Sequence, residues 1–144
     1  MIFSVNSLLS DQQALTASAP SDNVIDIGVP GTPYDAAAPV NQDIGKGNPI
    51  PLLIQVTEDF VGATSVTATV ETSADEAFTA PKELASHAVV AASLVAGKQF
   101  SLHVVPHGVD ERYIRINYTV AGTATAGRVT AGITCGVQTN TTGG

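Results

Sequence analysis

The chain has 144 residues, six of them Lys or Arg and thirteen Asp or Glu, which gives a formal net charge of −7. This length suits one domain. The basic residues are scattered, which argues against binding to nucleic acid or to an anionic membrane, because both need clustered Lys and Arg. Charged residues make up only 13% of the chain, about half the usual share. Such a composition suits a β-rich protein whose surface is partly covered by partners, since interface cores are depleted in charge.

Residues 1–20 predict an N-terminal arm rather than a regular element. Ser10 could cap a short helical turn over residues 11–15. Two alternatives stay open for the segment: a frayed tail, or an arm that docks on its own domain or on a neighbour. Its apolar residues follow no helical or strand period; they are Phe3, Val5, Leu8 and Leu9.

From residue 50 onward the hydrophobic period is two, which predicts strands. Side chains on a strand alternate between its faces, so each such run has one core face and one outer face. Short strands separated by turn residues, without a long helical pattern, favour a sandwich or a barrel. Turn signals lie near residue 62, at 73–75, near 97, at 106–108 and at 121–122. The predicted strands cover residues 23–28, 50–57, 65–71, 84–90, 100–105, 113–120 and 128–135.

Between the first two predicted strands, residues 29–51 form one long loop rich in Pro and Gly. Gly permits positive φ and Pro fixes φ, so both residues favour turns. Loops of this length without an element of their own are unusual and are often functional. The predicted organisation is an N-terminal arm over 1–20, a β-sandwich domain over 21–138 and a polar C-terminal tail over 139–144.

Neither secretion nor insertion into a membrane is expected. The N-terminal residues lack the basic and apolar segments of a signal peptide, and no apolar run approaches the roughly 18 residues of a spanning helix. Cys135 is the only cysteine, so no disulfide can form within one chain. We expect Cys135 to lie buried on the apolar face of a strand, where a free cysteine behaves as a small hydrophobe.

No constellation in the sequence predicts an enzyme, a metal site or a cofactor. His103 and His107 lie four apart, but the residues between them belong to a strand end and a turn, and a third ligand is missing. Gly45-Lys46-Gly47 lacks the spacing of a phosphate loop. The acidic pairs predict solvated turns, with a calcium site between two such loops as the alternative; they lie at residues 58–59, 75–76 and 110–111.

Three stretches stand in an order that points to one family. They are the arm from Met1-Ile2-Phe3 to Thr16-Ala17-Ser18, the segment Asp43-Ile44-Gly45-Lys46-Gly47-Asn48-Pro49-Ile50-Pro51-Leu52-Leu53-Ile54-Gln55-Val56, and the stretch from Gly97-Lys98-Gln99-Phe100 through Glu111-Arg112-Tyr113-Ile114-Arg115-Ile116-Asn117-Tyr118. The combination resembles the capsid cement, or decoration, proteins of short-tailed bacteriophages. The resemblance implies an all-β, jelly-roll-like β-sandwich on the outside of a phage head, made in the host cytoplasm. There it would bridge neighbouring major capsid subunits as a homo-oligomer, with a dimer expected and a trimer left open.

The expected partners are therefore the major capsid protein and further copies of the chain, with no nucleic acid and no membrane. Two rival functions stay open. A carbohydrate-binding module is disfavoured because the chain has no Trp, and another virion part, such as a head fibre or tail component, is disfavoured because no repeat or coiled-coil stalk is present. The capsid-contact candidates are the residues of the arm and long loop that stand outside the periodic strands: Phe3, Leu8, Leu9, Tyr34, Ile44 and Lys46.

Overall fold

The described part of the computed structural model, residues 3–40, 43–44 and 47–136, consists almost entirely of strands and loops. Its one helical element is a 3-10 turn over Ala91–Ser93, and no helix there could cross a membrane. The all-β prediction is therefore confirmed. The strands are β1 (Phe3–Ala14), β2 (Ala19–Pro20), β3 (Ile25–Asp26), β4 (Leu52–Ser73), β5 (Lys82–Val90) and β6 (Tyr113–Thr134).

All six strands belong to one antiparallel sheet. Their order is β1-β6-β4-β5, and the short β2 and β3 also pair with β6. The two central strands, β4 and β6, each have 22 residues. They pair along their whole length, from Leu52 opposite Ile133 to Ser73 opposite Tyr113. This long pair is therefore the frame to which every other strand is attached.

Bulges bend the long β4–β6 pair in its middle. Four successive register shifts fall between Val56 and Ser65, and bulges of this kind bend a strand and increase its twist. Gly62 lies at the centre with a φ of 82°. A Cβ atom added there would stand 2.1 Å from the carbonyl oxygen of Thr123, so only glycine fits. The residues predicted as turns near 62 and 121–122 are therefore bends within β4 and β6, and two pairs of predicted strands are each one continuous strand.

The two halves of the bent pair enclose one core. Apolar side chains on both sides of the bend belong to the same buried cluster, so the two halves face each other as two layers of one folded sheet. Each fully buried side chain of this kind stabilises the fold by roughly 1.5–3 kcal/mol relative to an exposed one. The β4 members are Leu52, Ile54 and Val56 before the bend and Val66, Ala68 and Val70 after it.

The segment Phe3–Ala14 is an edge strand of the chain's own sheet. Leu9 and Leu15 are 1% and 0% exposed, so the segment is no frayed tail, and the helical turn expected over residues 11–15 is wrong. The pairing of β1 with β6 contains three register shifts, and Gln12 has a φ of 51°. These irregularities turn side chains out of strict alternation, which explains why the sequence shows no period here.

A buried hydrogen-bond network joins β1 to the core. The hydroxyl oxygens of Ser10 and Tyr118 are 3.0 Å apart, and Ser10 Oγ donates to Gln13 Oε1 at 2.8 Å. Because Ser10 has one hydroxyl hydrogen, the Tyr118 hydroxyl is the donor to Ser10. Gln13 Nε2 in turn donates to the Pro20 carbonyl at 2.8 Å. Burial raises the pKa of Tyr118, which keeps this donor protonated.

Several smaller predictions have mixed outcomes. The strand predicted over 84–90 is confirmed within β5, whereas only two residues of the one predicted over 23–28 form a strand. The segment 100–105 is not a regular strand, although it runs beside β4 with hydrogen bonds such as Phe100 N–H to Ile54 O at 2.9 Å. The long loop is confirmed, since its described residues contain only two isolated bridges, at Ile44 and Pro51. The predicted tail 139–144 lies outside the described residues.

Candidate functional site

The contact candidates in β1 have different environments. Leu9, predicted as a capsid contact, is instead a core residue at 1% exposure, so it offers no surface to a partner. Phe3 and Leu8 are partly buried. A Cβ added to Gly132 would meet Phe3 Cδ1 at 3.2 Å and Leu8 Cα at 3.0 Å, so both residues lie against β6.

The long loop presents the most exposed residues of the candidate set. Every residue from 29 to 40 is exposed, and Tyr34 reaches 102% of its reference surface. Val29 and Val40 are also exposed, at 70% and 52%. Contiguous exposed apolar patches mark interaction sites, whereas single exposed apolar residues are ordinary; the loop is therefore the candidate contact surface.

Two hydrogen bonds inside the loop give it a shape of its own. Val40 N–H donates to the Gly31 carbonyl at 3.0 Å, which closes the segment between them. Within that segment Ala36 N–H donates to the Pro33 carbonyl at 3.1 Å in a turn that contains Tyr34. Tyr34 therefore stands at the tip of a closed, protruding loop.

The loop is anchored to the domain where it begins. Arg112 forms two hydrogen bonds to Asp26, from Nε to Oδ1 at 2.8 Å and from Nη2 to Oδ2 at 2.7 Å. Gly28 N–H donates to the same carboxylate at 2.8 Å. The hydrogen bond from Arg112 is the main cause that lowers the pKa of Asp26 from 3.8 to about 2. The guanidinium also lies 4.9 Å from the centroid of the Tyr113 ring, so this anchor is fixed from two sides.

A second anchor lies near the end of the loop. Ile44 pairs with Val109 in an isolated bridge, with its N–H donating to the Val109 carbonyl at 3.1 Å, and it packs against the core. Asp43 Oδ1 accepts from Gly108 N–H at 3.1 Å. Ile44 thus anchors the end of the loop, and Lys46 lies outside the described residues. A loop tied at both ends and free between them is preorganised for binding, which lowers the entropic cost of association.

An open groove of 330 Å³ lies at the base of the loop. Beside it, Lys82 Nζ contacts Asp110 Oδ1 at 2.8 Å, and this hydrogen bond is the main cause that lowers the pKa of Asp110 and raises the pKa of Lys82. Asp110 and Arg112 thus tie the base of the loop to the neighbouring strands. The groove is lined by Val29, Pro30, Ala74, Asp110, Glu111 and Arg112.

The residues considered for chemistry are dispersed. His103 and His107 are both exposed, and within the described ranges no group of three or more His, Cys, Asp or Glu side chains could hold a metal ion. Cys135 is exposed, contrary to the prediction, because β6 ends at Thr134 and Cys135 follows it. Of the acidic pairs, Glu58 and Asp110 form ion pairs with Arg128 and Lys82. Asp75 accepts from Ala77 N–H in a local turn, and Asp59 accepts from the more distant Ala96 N–H.

One family model matches the chain. It is the model of Bbp16, and it covers residues 9–133, which is most of the sequence and includes all strands from β2 to β5. No curated protein matches the chain.

Proposed function

The chain belongs to the Bbp16 family, a phage-associated family, and from this we propose that it is a structural virion protein of the capsid-cement type. In this proposal the protein binds the outside of a phage head and stabilises contacts between major capsid subunits. The likeness of three of its stretches to cement proteins of short-tailed phages supports this role. Following the same likeness, the protein is made in the host cytoplasm and acts as a homo-oligomer, with a dimer as the expected state.

The main structural support for this proposal is the closed loop with Tyr34 at its tip, which is anchored at both ends. A fully exposed Tyr in the same loop as the exposed Val29 and Val40 leaves apolar surface in water, and Tyr is a residue type that dominates interfaces. The loop is fixed by Asp26–Arg112 at one end and by Ile44 at the other. A partner surface that covers it would gain apolar burial without ordering a flexible segment.

The charge of the chain is consistent with this role. A net charge of −7 helps to keep the free protein soluble before it binds. A protein on the outer surface of the shell has no need to contact the packaged genome, which agrees with the scattered basic residues. Weak contacts that are repeated over a symmetric shell can add to a large stabilisation when one protein engages neighbouring subunits together.

Co-sedimentation with phage heads that lack the protein tests the proposal. We expect saturable binding of the unmodified chain, and the plateau gives the number of copies per head. Tyr34→Ala should weaken binding about 5- to 30-fold, the effect of losing roughly 1–2 kcal/mol of an aromatic anchor. Val61→Ala is the matched control, because Val61 is 54% exposed but lies at the bend of β4. If the folded, unmodified chain stays in the supernatant, the proposal is wrong.

A further inference from the structure

One edge of the sheet is unpaired. β5 pairs with β4 on one side, and in the described part of the chain no backbone hydrogen bond joins its other side to any element. Free edges are templates for pairing with another chain, and soluble proteins usually protect them with charges, prolines or bulges. Here protection is confined to the start of the strand, where Lys82 and Glu83 stand and where the register shifts next to Leu84. From Leu84 to Gly97 the sequence has no charged residue and no proline.

A cleft of 240 Å³ runs along this free edge. It lies where the two layers of the folded sheet meet, between β5 and the segment 98–101. His87 marks the seam: its ring meets the Phe100 ring edge-on at a centroid distance of 6.0 Å, and its Nδ1 accepts from Ser101 N–H at 3.5 Å. A strand added along β5 would direct every second side chain toward this cleft. The cleft is lined by His87, Ala88, Val89, Val90, Ser93, Lys98 and Ser101.

Lys98 places a positive charge at the cleft. The other Lys and Arg side chains of the described residues each contact a carboxylate at 2.7–2.9 Å. Lys98 is exposed, and no ion pair is formed by its ammonium group with any described residue. In a protein with thirteen carboxylates, a cation left unpaired beside a free strand edge is complementary to an acidic side chain of a partner.

We propose that the free edge of β5 takes up an extended segment of the major capsid subunit as an added strand, with an Asp or Glu of that segment against Lys98. This inference rests on the proposed function and names the partner's binding mode. Main-chain hydrogen bonds along β5 supply the affinity, and the cleft selects the side chains, as in other cases of strand addition. In this arrangement β5 binds the capsid subunit, so the contact between copies of the chain in the proposed homo-oligomer uses a different surface.

Hydrogen–deuterium exchange on the full-length chain, free and bound to heads that lack it, tests this mode of binding. We expect amide exchange in residues 84–90 to slow at least about tenfold when the chain is bound to heads. In the free chain, the exchange rate of these residues should not change when the protein concentration is raised. Binding to heads without slower exchange in 84–90 would overturn the inference and leave the proposed function standing. Slower exchange in 84–90 of the free chain at high concentration would also overturn it, because the occupant would then be a second copy.

Charge variants provide an independent measure. Lys98→Gln should weaken binding to heads about 1.5- to 5-fold at low salt, the effect of a solvent-accessible ion pair, and Lys98→Arg should bind as the unmodified chain does. Gln12→Glu is the control, because it makes the same change in net charge at an exposed position of β1. Equal weakening by Lys98→Gln and Gln12→Glu would show a general charge effect and sink the role of Lys98. If the unmodified chain does not sediment with heads, the proposed function fails, and the capsid subunit as occupant fails with it.

Discussion

Leu9→Ala tests whether the first strand is part of the folded domain. Leu9 is 1% exposed inside the core cluster, and truncation of such a Leu to Ala costs about 2–5 kcal/mol, because apolar burial is lost and a cavity remains. A mid-range loss of about 3 kcal/mol lowers Tm by roughly 10 °C in a domain of this size. Leu8, the next residue, is only partly buried, so Leu8→Ala should cost less than about 1.5 kcal/mol.

Urea unfolding followed by circular dichroism gives both free energies of unfolding. If Leu9→Ala and Leu8→Ala lower the free energy of unfolding by the same small amount, β1 is not part of the folded core and behaves as an arm. The result also decides how head-binding data on truncated chains are interpreted. Removal of residues 1–15 would take away both Leu9 and Leu15 from the core, so a truncated chain that fails to bind heads would report unfolding and not a lost contact.

Two further predictions concern the bend and the loop anchor. Gly62 and Gly97 both have positive φ, 82° and 91°, but of these two only at Gly62 would an added Cβ meet a backbone oxygen, at 2.1 Å. In urea unfolding, Gly97→Ala should lower the free energy of unfolding by about 1–2 kcal/mol, because alanine is strained in the left-handed region, and Gly62→Ala should lower it by about 1–3 kcal/mol more because of the clash. Equal losses for the two variants would contradict the tight bend at Gly62. The folded-state pKa of Asp26 is lowered from 3.8 to about 2, so its pairing with Arg112 contributes stability above about pH 4 that is lost as pH falls toward 2. Asp26→Asn should therefore have a Tm closer to that of the unmodified chain at pH 2 than at pH 5, and a constant Tm difference across this range would show that the anchor is not ionic.

The strands of the core could be predicted because their side chains alternate, but their continuity could not. Gly62 is equally suited to a turn and to a bulge, since both need positive φ, and only the partner strand at Thr123 makes it a bulge. Strand β1 could not be predicted, because its register shifts and the positive φ of Gln12 remove the alternation on which strand prediction depends. Burial of Cys135 failed because β6 ends one residue before it.

The exposed loop of the candidate site could be predicted from its amino-acid composition. A long Pro- and Gly-rich loop with Tyr34 outside any strand indicates an exposed binding segment, and the structure places Tyr34 at its tip. The anchors could not be found in the sequence, since Asp26 and Arg112 are far apart in it and meet only through the pairing of β3 with β6. Lys98 was missed as well, although the uncharged run from 84 to 97 before it was a usable signal.

Heat disruption of phage heads, with and without the bound chain, tests whether the protein stabilises the head. Genome release from heads that lack the protein is recorded against temperature, and the chain is then added up to the saturation found by sedimentation. We expect the disruption temperature to rise with occupancy and to level off at saturation, and Tyr34→Ala to need a higher concentration to reach the same plateau. Heads that bind the chain to saturation and still break at the temperature of bare heads would contradict a stabilising role.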